Sequence, residues 1–193
     1  MPEGTRKTIK ADNPMQRCYS YVLDCRAGES FDPVFKPALS PKEMLQLGIF
    51  GGRYLNSAVD EYPASWFTRA KLTEVHDKKV NLFKVDSGLP LEVWRAKGWI
   101  HAQDPRGWFE WYCRYYQGRR SPDDRRQIKR WCAYVRHSAQ VRKDGQGDMK
   151  RRVVQRQSLL HWSYDPFPDF PSRPEYKSVY DKIRDIAITS ALP

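Results

Sequence analysis

The chain has 193 residues, with 34 Lys and Arg against 23 Asp and Glu, a formal net charge of +11. Hydrophobic residues make up 40% and aromatics 13%, which excludes a disordered chain and suffices for a core without metals or disulfides. No apolar run approaches the roughly 18 residues a membrane span needs, and the opening MPEGTRKTIKADNP lacks the apolar stretch of a secretory signal, so the cytoplasm, or the nucleus of a eukaryotic host, is the expected location.

Residues 1–17 read as a polar arm leading into a globular domain over 18–164. Cys18 to Cys25 alternates aromatic and small residues and predicts a short strand. Ser40-Pro41-Lys42-Glu43 places a hydroxyl at the N-cap, Pro at the first helical position and Glu at N3, a capping box that opens a helix ending near Gly48. A short helix is expected around Pro63, a hairpin over Thr73 to Val85, and a short helix from Pro90 to Lys97 stopped by Gly98. Asp104-Pro105 reads as an N-cap acid followed by Pro, opening a helix to about Gln117. Trp108, Phe109, Trp111, Tyr112, Tyr115 and Tyr116 fall on one arc of it, and Arg106, Glu110, Arg114 and Gln117 on the other.

Gly118 stops that helix, and Ser121-Pro122-Asp123-Asp124 opens another running to about Lys143. Ile128, Trp131, Cys132, Val135 and Ala139 share one of its faces; Arg125, Arg126, Lys129, Arg130, Ala133, Arg136, His137 and Gln140 share the other. Two amphipathic helices with a short connection imply a helical hairpin with its aromatic seam buried and its basic face outward. A further helix is expected over Arg151 to Trp162. The Pro-rich stretch 165–174 cannot be helical and reads as an extended strap. It leads to a C-terminal helix within 175–193, which docks on its own domain or on a protein partner. The fold class is mainly α, a single domain around the aromatic hairpin, with a minor β element in the N-terminal half.

Charge is unevenly spread along this plan. Residues 114–156 hold fourteen basic side chains and four acids, leaving 20 basic against 19 acidic elsewhere. Eleven of the fourteen are Arg, whose planar fork matches phosphate bidentately and stacks on flat rings. The first functional reading is therefore a nucleic-acid-binding protein, for DNA or RNA, of low sequence specificity. Its contacts would come from Arg114, Arg119, Arg120, Arg125, Arg126, Lys129, Arg130, Arg136, Arg151 and Arg152. A helix-turn-helix reader fits less well, because the second helix is long and begins with two acids.

An alternative is an enzyme acting on nucleotides or nucleobases. His101 and Asp104 stand just before an aromatic helix, with Asp60, Glu61 and Asp86 as further carboxylates. N-capping alone would account for Asp104. Gly48-Ile-Phe-Gly-Gly-Arg53 could cradle a phosphate with backbone N–H groups and Arg53, although it lacks the Lys-Ser/Thr of a P-loop. The third reading is a structural subunit of a nucleoprotein assembly, its terminal segments wrapped over neighbours. The four cysteines form no C-x-x-C pair and have no His at zinc-finger spacing, so free thiols and no metal are expected. Dinucleotide, P-loop, nucleophile-elbow and zincin motifs do not occur, and no cofactor is expected.

The stretch Gly98-Trp-Ile-His-Ala-Gln-Asp-Pro-Arg-Gly-Trp-Phe-Glu-Trp-Tyr-Cys-Arg-Tyr-Tyr-Gln-Gly-Arg-Arg120 resembles the signature of an uncharacterised family of small basic microbial proteins. The likeness extends over about 40–162 and includes Leu47-Gly-Ile-Phe-Gly-Gly-Arg-Tyr-Leu55. It implies one folded unit over that range and carries no activity with it.

Overall fold

The computed structural model describes residues 7–170; the expected C-terminal helix and the end of the strap lie outside the described residues. Its elements are β1 (Thr8–Asn13), β2 (Gln16–Val22), α1 (Pro41–Leu47), α2 (Leu91–Ala96), α3 (Trp108–Gln117), α4 (Asp124–Ala133), α5 (Val135–Asp144) and α6 (Val153–His161). The fold is thus mainly α with one small antiparallel sheet. It gathers into two compact units. One takes the described residues up to Lys36, Ser57–Pro63 and Leu89–Ala133; the other takes Pro37–Asn56, Ala64–Gly88 and the described residues from Tyr134 on. Neither unit is a contiguous stretch of sequence.

In the first unit, β1 and β2 pair antiparallel with Ile9 opposite Tyr21 and Ala11 opposite Tyr19. Residues 8–13 were expected to belong to a polar arm. They form a strand because Ala11 and Asn13 alternate inward, both buried, while Lys10 and Asp12 face solvent. The aromatic helix α3 starts at Trp108 with Gly107 at its N-cap, three residues later than Asp104-Pro105 predicts. Asp104 does not cap it: its carboxylate is bound by arginines, described below.

Phe35 sits at the centre of this unit's aromatic core. The rings of Trp111, Tyr112, Tyr115 and Trp131 surround it edge-on, with centroids at 5.5, 5.6, 5.6 and 4.9 Å. Each such pair contributes about 0.5–1.5 kcal/mol beyond area burial. Trp131 comes from α4, so the same ring cluster joins the two helices of the expected hairpin. Trp111 Nε1 donates to Asp124 Oδ1 at 2.9 Å, pinning the start of α4 to α3. Between them, Gly118 has φ +116°, and a Cβ there would stand 2.0 Å from the Cys25 carbonyl oxygen. Only glycine fits at that turn.

The second unit opens on the predicted capping box. Ser40 Oγ accepts from the Glu43 N–H, and Glu43 Oε2 accepts from the Ser40 N–H, at the start of α1. Met44, Leu45 and Leu47 of α1 are buried. No hairpin forms over Thr73 to Val85. That stretch is a 3-10 turn at Lys78–Val80 followed by Asn81, whose buried amide accepts from Gly51 N and donates to Val85 O. A side-chain clip satisfies backbone groups that a strand ladder would otherwise take.

The single helix expected over 121–143 divides at Tyr134, where His137 N donates to Tyr134 O in a tighter turn. α4 belongs to the first unit and α5 to the second. Consequently Val135 and Ala139, expected inside, are exposed, and α5 buries Ser138 and Val141. The described start of the Pro-rich strap is packed: Phe167 is buried and meets Phe83, and Arg156 donates to Pro166 O.

Candidate functional site

The basic segment separates into two populations once its partners are traced. The first is buried. On α3, the arc opposite the aromatics carries Glu110 and Arg114, with Arg106 four residues before Glu110 in the turn that leads in, and all three are buried in the first unit. Arg106 Nη1 donates to Glu110 Oε1 at 2.7 Å, and its Nη2 reaches Asn13 Oδ1 and Ser57 Oγ. Arg114, fully buried, donates Nε and Nη2 to the two oxygens of Glu61 at 2.6 and 3.1 Å, with Nη1 on Gln103 O and on Asp104 Oδ1. Arg119, 2% exposed, grips both oxygens of Asp104 at 2.9 and 2.8 Å.

Three guanidinium groups therefore meet the carboxylates of Glu61, Asp104 and Glu110 in a charge-balanced lattice. Burial pushes the Glu110 carboxyl upward, against the pull of Arg114 and Arg106. Burial alone would ease deprotonation of Arg114, and its hydrogen bond to Glu61 reverses this, leaving its pKa above the ordinary range. Arg119 is held the same way by Asp104. Buried charges persist only when paired and hydrogen-bonded like this.

This arrangement corrects the expected contact set. Arg114 and Arg119 cannot reach a phosphate, because carboxylates from within the unit already neutralise them. Arg120 is also committed: its guanidinium lies 3.9 Å over the Tyr115 ring and donates to the carbonyls of Tyr115, Arg119, Glu29 and Ser30. In the second unit, Arg156 is buried and bidentate on Asp169.

The second population faces solvent. On α4, Arg125, Arg126 and Lys129 are exposed while Gln127, Ile128 and Trp131 point inward. Arg126 pairs with Asp123 one turn back, which holds that carboxyl below its usual range despite partial burial. Arg130, half-buried, donates to Trp99 O and Gln127 Oε1; burial, then the neighbouring Arg126, lowers its pKa. On α5, Arg136, Arg142 and Lys143 are exposed. Arg151 and Arg152 are exposed in the turn before α6, on Gln146 and Asp144 respectively.

The expected catalytic groups do not assemble. Asp104 is 0% exposed and bound on both oxygens to arginine. His101 accepts from the Gln103 N–H through Nδ1, a local loop bond. Glu61 is buried on Arg114, and its neighbour Asp60 faces solvent. Asp86 pairs with His76 at 2.8 Å, both more than half exposed. The glycine loop is no phosphate cradle either. Gly51 N donates to Asn81 Oδ1, Gly52 N to Ile49 O, Gly48 N to Met44 O, and the Arg53 side chain is merely exposed. Its amides are spent inside the fold.

One residue that the charge map passes over stands beside the exposed cations. Trp99, between Gly98 and Ile100, is 42% exposed, with Lys97 Nζ 5.2 Å over its ring. The chain matches no protein-family model, no curated protein and no solved structure. Among the described residues, no helix is long and apolar enough to cross a membrane, and no group of three or more His, Cys, Asp or Glu could hold a metal ion.

Proposed function

We propose that this protein binds nucleic acid, with low sequence specificity, through exposed basic side chains of residues 125–143, those on α4 in the first unit and those on α5 in the second. One observation carries the reading. After the buried arginines are set aside, residues 125–143 still hold seven basic side chains and no acid. Of these, Arg125, Arg126, Lys129, Arg136, Arg142 and Lys143 are exposed. Solvated helix faces usually mix signs to keep a protein soluble, so a stretch of sequence with exposed cations and no acid favours a polyanionic partner.

The test is binding of labelled DNA and RNA, single- and double-stranded, across about 50 to 300 mM salt. Changing Arg125, Lys129, Arg136 and Lys143 together to Gln should lower the slope of log affinity against log salt by about 3–4, since each phosphate contact contributes roughly 0.7–0.9. Salt-independent affinity, or a slope that survives the four changes, overturns the proposal.

A further inference from the structure

We infer that Trp99 is a stacking platform for an unpaired base, so that single-stranded nucleic acid is the preferred ligand of the α4 surface. The inference rests on nucleic-acid binding as proposed above and names which form of nucleic acid that surface selects.

The loop that carries Trp99 is fixed, and its apolar members divide. Trp94 and Ile100 turn in against Gly107, where a Cβ would stand 3.3 Å from Trp94 Cε3 and 3.0 Å from Ile100 Cδ1. The Trp99 backbone is tied at both ends of its peptide: its N–H donates to Trp94 O, and its carbonyl accepts from Arg130 Nη1 of α4. The His101 carbonyl accepts from Asp104 N. A loop anchored this well could bury a third large side chain. Instead it holds an indole out, and Trp99 is the one exposed tryptophan among the described residues.

Two cations touch Trp99 directly. Lys97 lies over the ring, Arg130 holds its carbonyl, and Arg126 and Lys129 face solvent on the same helix as Arg130. Between Leu89 and Gln103 the acid is Glu92, against Arg95 and Lys97. An aromatic face flanked by cations matches a base attached to a phosphate backbone: the ring meets the base and the cations meet the phosphates. Bases inside a duplex are already stacked and offer the indole nothing comparable, so the preference should be for single strands.

The experiment measures fluorescence anisotropy of labelled single strands and of the matching duplexes, in DNA and RNA, of about 16 nucleotides, the upper end of a single-strand site. Wild type, Trp99→Leu and Trp99→Phe are compared at one salt concentration and across a salt series. Trp99→Leu should weaken single-strand binding roughly 5- to 150-fold, the loss of one base–aromatic stack. Duplex affinity and the salt slope should stay as in wild type. Trp99→Phe, which keeps a π face, should recover most of the loss, and that recovery separates stacking from a folding defect. The inference is overturned if Trp99→Leu weakens single strands and duplexes alike, if it weakens neither, or if Phe behaves as Leu does. Where wild type binds and the four Gln changes lower its salt slope as proposed above, any of those three outcomes overturns this inference alone. Where wild type binds no nucleic acid at all, the proposed function falls with it.

Discussion

Replacing Asp104 by asparagine keeps the shape of the side chain and removes its charge. In the fold that carboxylate accepts three guanidinium hydrogen bonds, one from Arg114 at 3.1 Å and two from Arg119 at 2.9 and 2.8 Å. Arg114 retains Glu61 through two bonds, whereas Arg119 has no second carboxylate among its hydrogen-bond partners. The amide of Asp104→Asn would also turn an N–H toward a guanidinium N–H. A buried pair broken on one side costs about 3–5 kcal/mol, a large part of the roughly 5–15 kcal/mol that stabilises a domain. An exposed pair would cost at most about 1 kcal/mol. Urea unfolding followed by tryptophan fluorescence measures the difference, because Trp108 and Trp111 are buried in the same unit. Combining Asp104→Asn with Arg119→Gln should cost much less than the two single losses added, with a coupling of about 2–3 kcal/mol. The loss should persist in 1 M salt, roughly, since burial limits screening. A loss under about 1 kcal/mol, or strict additivity of the two changes, would refute the lattice as described.

His161 gives a pH prediction in the second unit. Its Nε2 accepts from Gln157 Nε2 and faces Phe50 N, and burial pulls its pKa down to about 3. The unfolded chain protonates it near pH 6.5, so between those values the unfolded state binds more protons and stability falls as pH is lowered. From about pH 7 to about pH 5 this site should cost about 2 kcal/mol. His161→Gln should flatten the urea midpoint over that range, and an unchanged pH dependence would remove His161 as its source. Lysine swaps test the two arginine populations against each other. Arg119→Lys should lose at least about 2 kcal/mol, because an ammonium cannot span both oxygens of Asp104. Arg125→Lys with Arg136→Lys should change stability by less than about 0.5 kcal/mol each and leave nucleic-acid affinity as it was. Equal effects on melting temperature at the two kinds of site would count against the division.

Local signals were legible wherever neighbouring residues decide the outcome. The capping box at Ser40, the glycine stop at Gly118 and the aromatic seam of α3 and α4 all follow from spacing alone. What the sequence conceals is which polar face is outside. Arg106, Glu110 and Arg114 have the period of a solvated helix face, and periodicity sorts residues by face without saying what each face meets. Their partners Glu61, Asn13 and Gln16 come from other stretches of the chain, joined to α3 only by the fold. The alternation of sign along 106, 110 and 114 was the available clue, since i,i+4 pairs of opposite charge satisfy one another without water. The same limit explains Asp104: a start signal for a helix and a bidentate acceptor for arginine are the same carboxylate in one dimension. β1 was missed because its alternation is carried by Ala11 and Asn13, neither of which is strand-forming by type.

The preference for arginine over lysine in residues 114–156 acquires a different explanation from the fold. Taken along the sequence, eleven Arg against three Lys suggests phosphate recognition. Yet Arg114, Arg119, Arg120 and Arg156 each use the full width of the guanidinium, toward carboxylates or toward carbonyls of separated loops. Lysine, with one nitrogen, could not replace any of them. Over residues 125–143 the ratio falls to five Arg and two Lys. Under the proposed function the requirement there would be positive charge near a phosphate, which either residue supplies when sequence is not being read. The bias is therefore in part architectural: it stabilises the first unit around α3 and, in the second, ties α6 to the stretch around Pro166 and Asp169. On the proposed function, residues 125–143 would need only to stay free of carboxylates to attract a polyanion. Selectivity on such a surface has to come from a group other than its cations, and an exposed indole beside Arg130 is the group this fold presents.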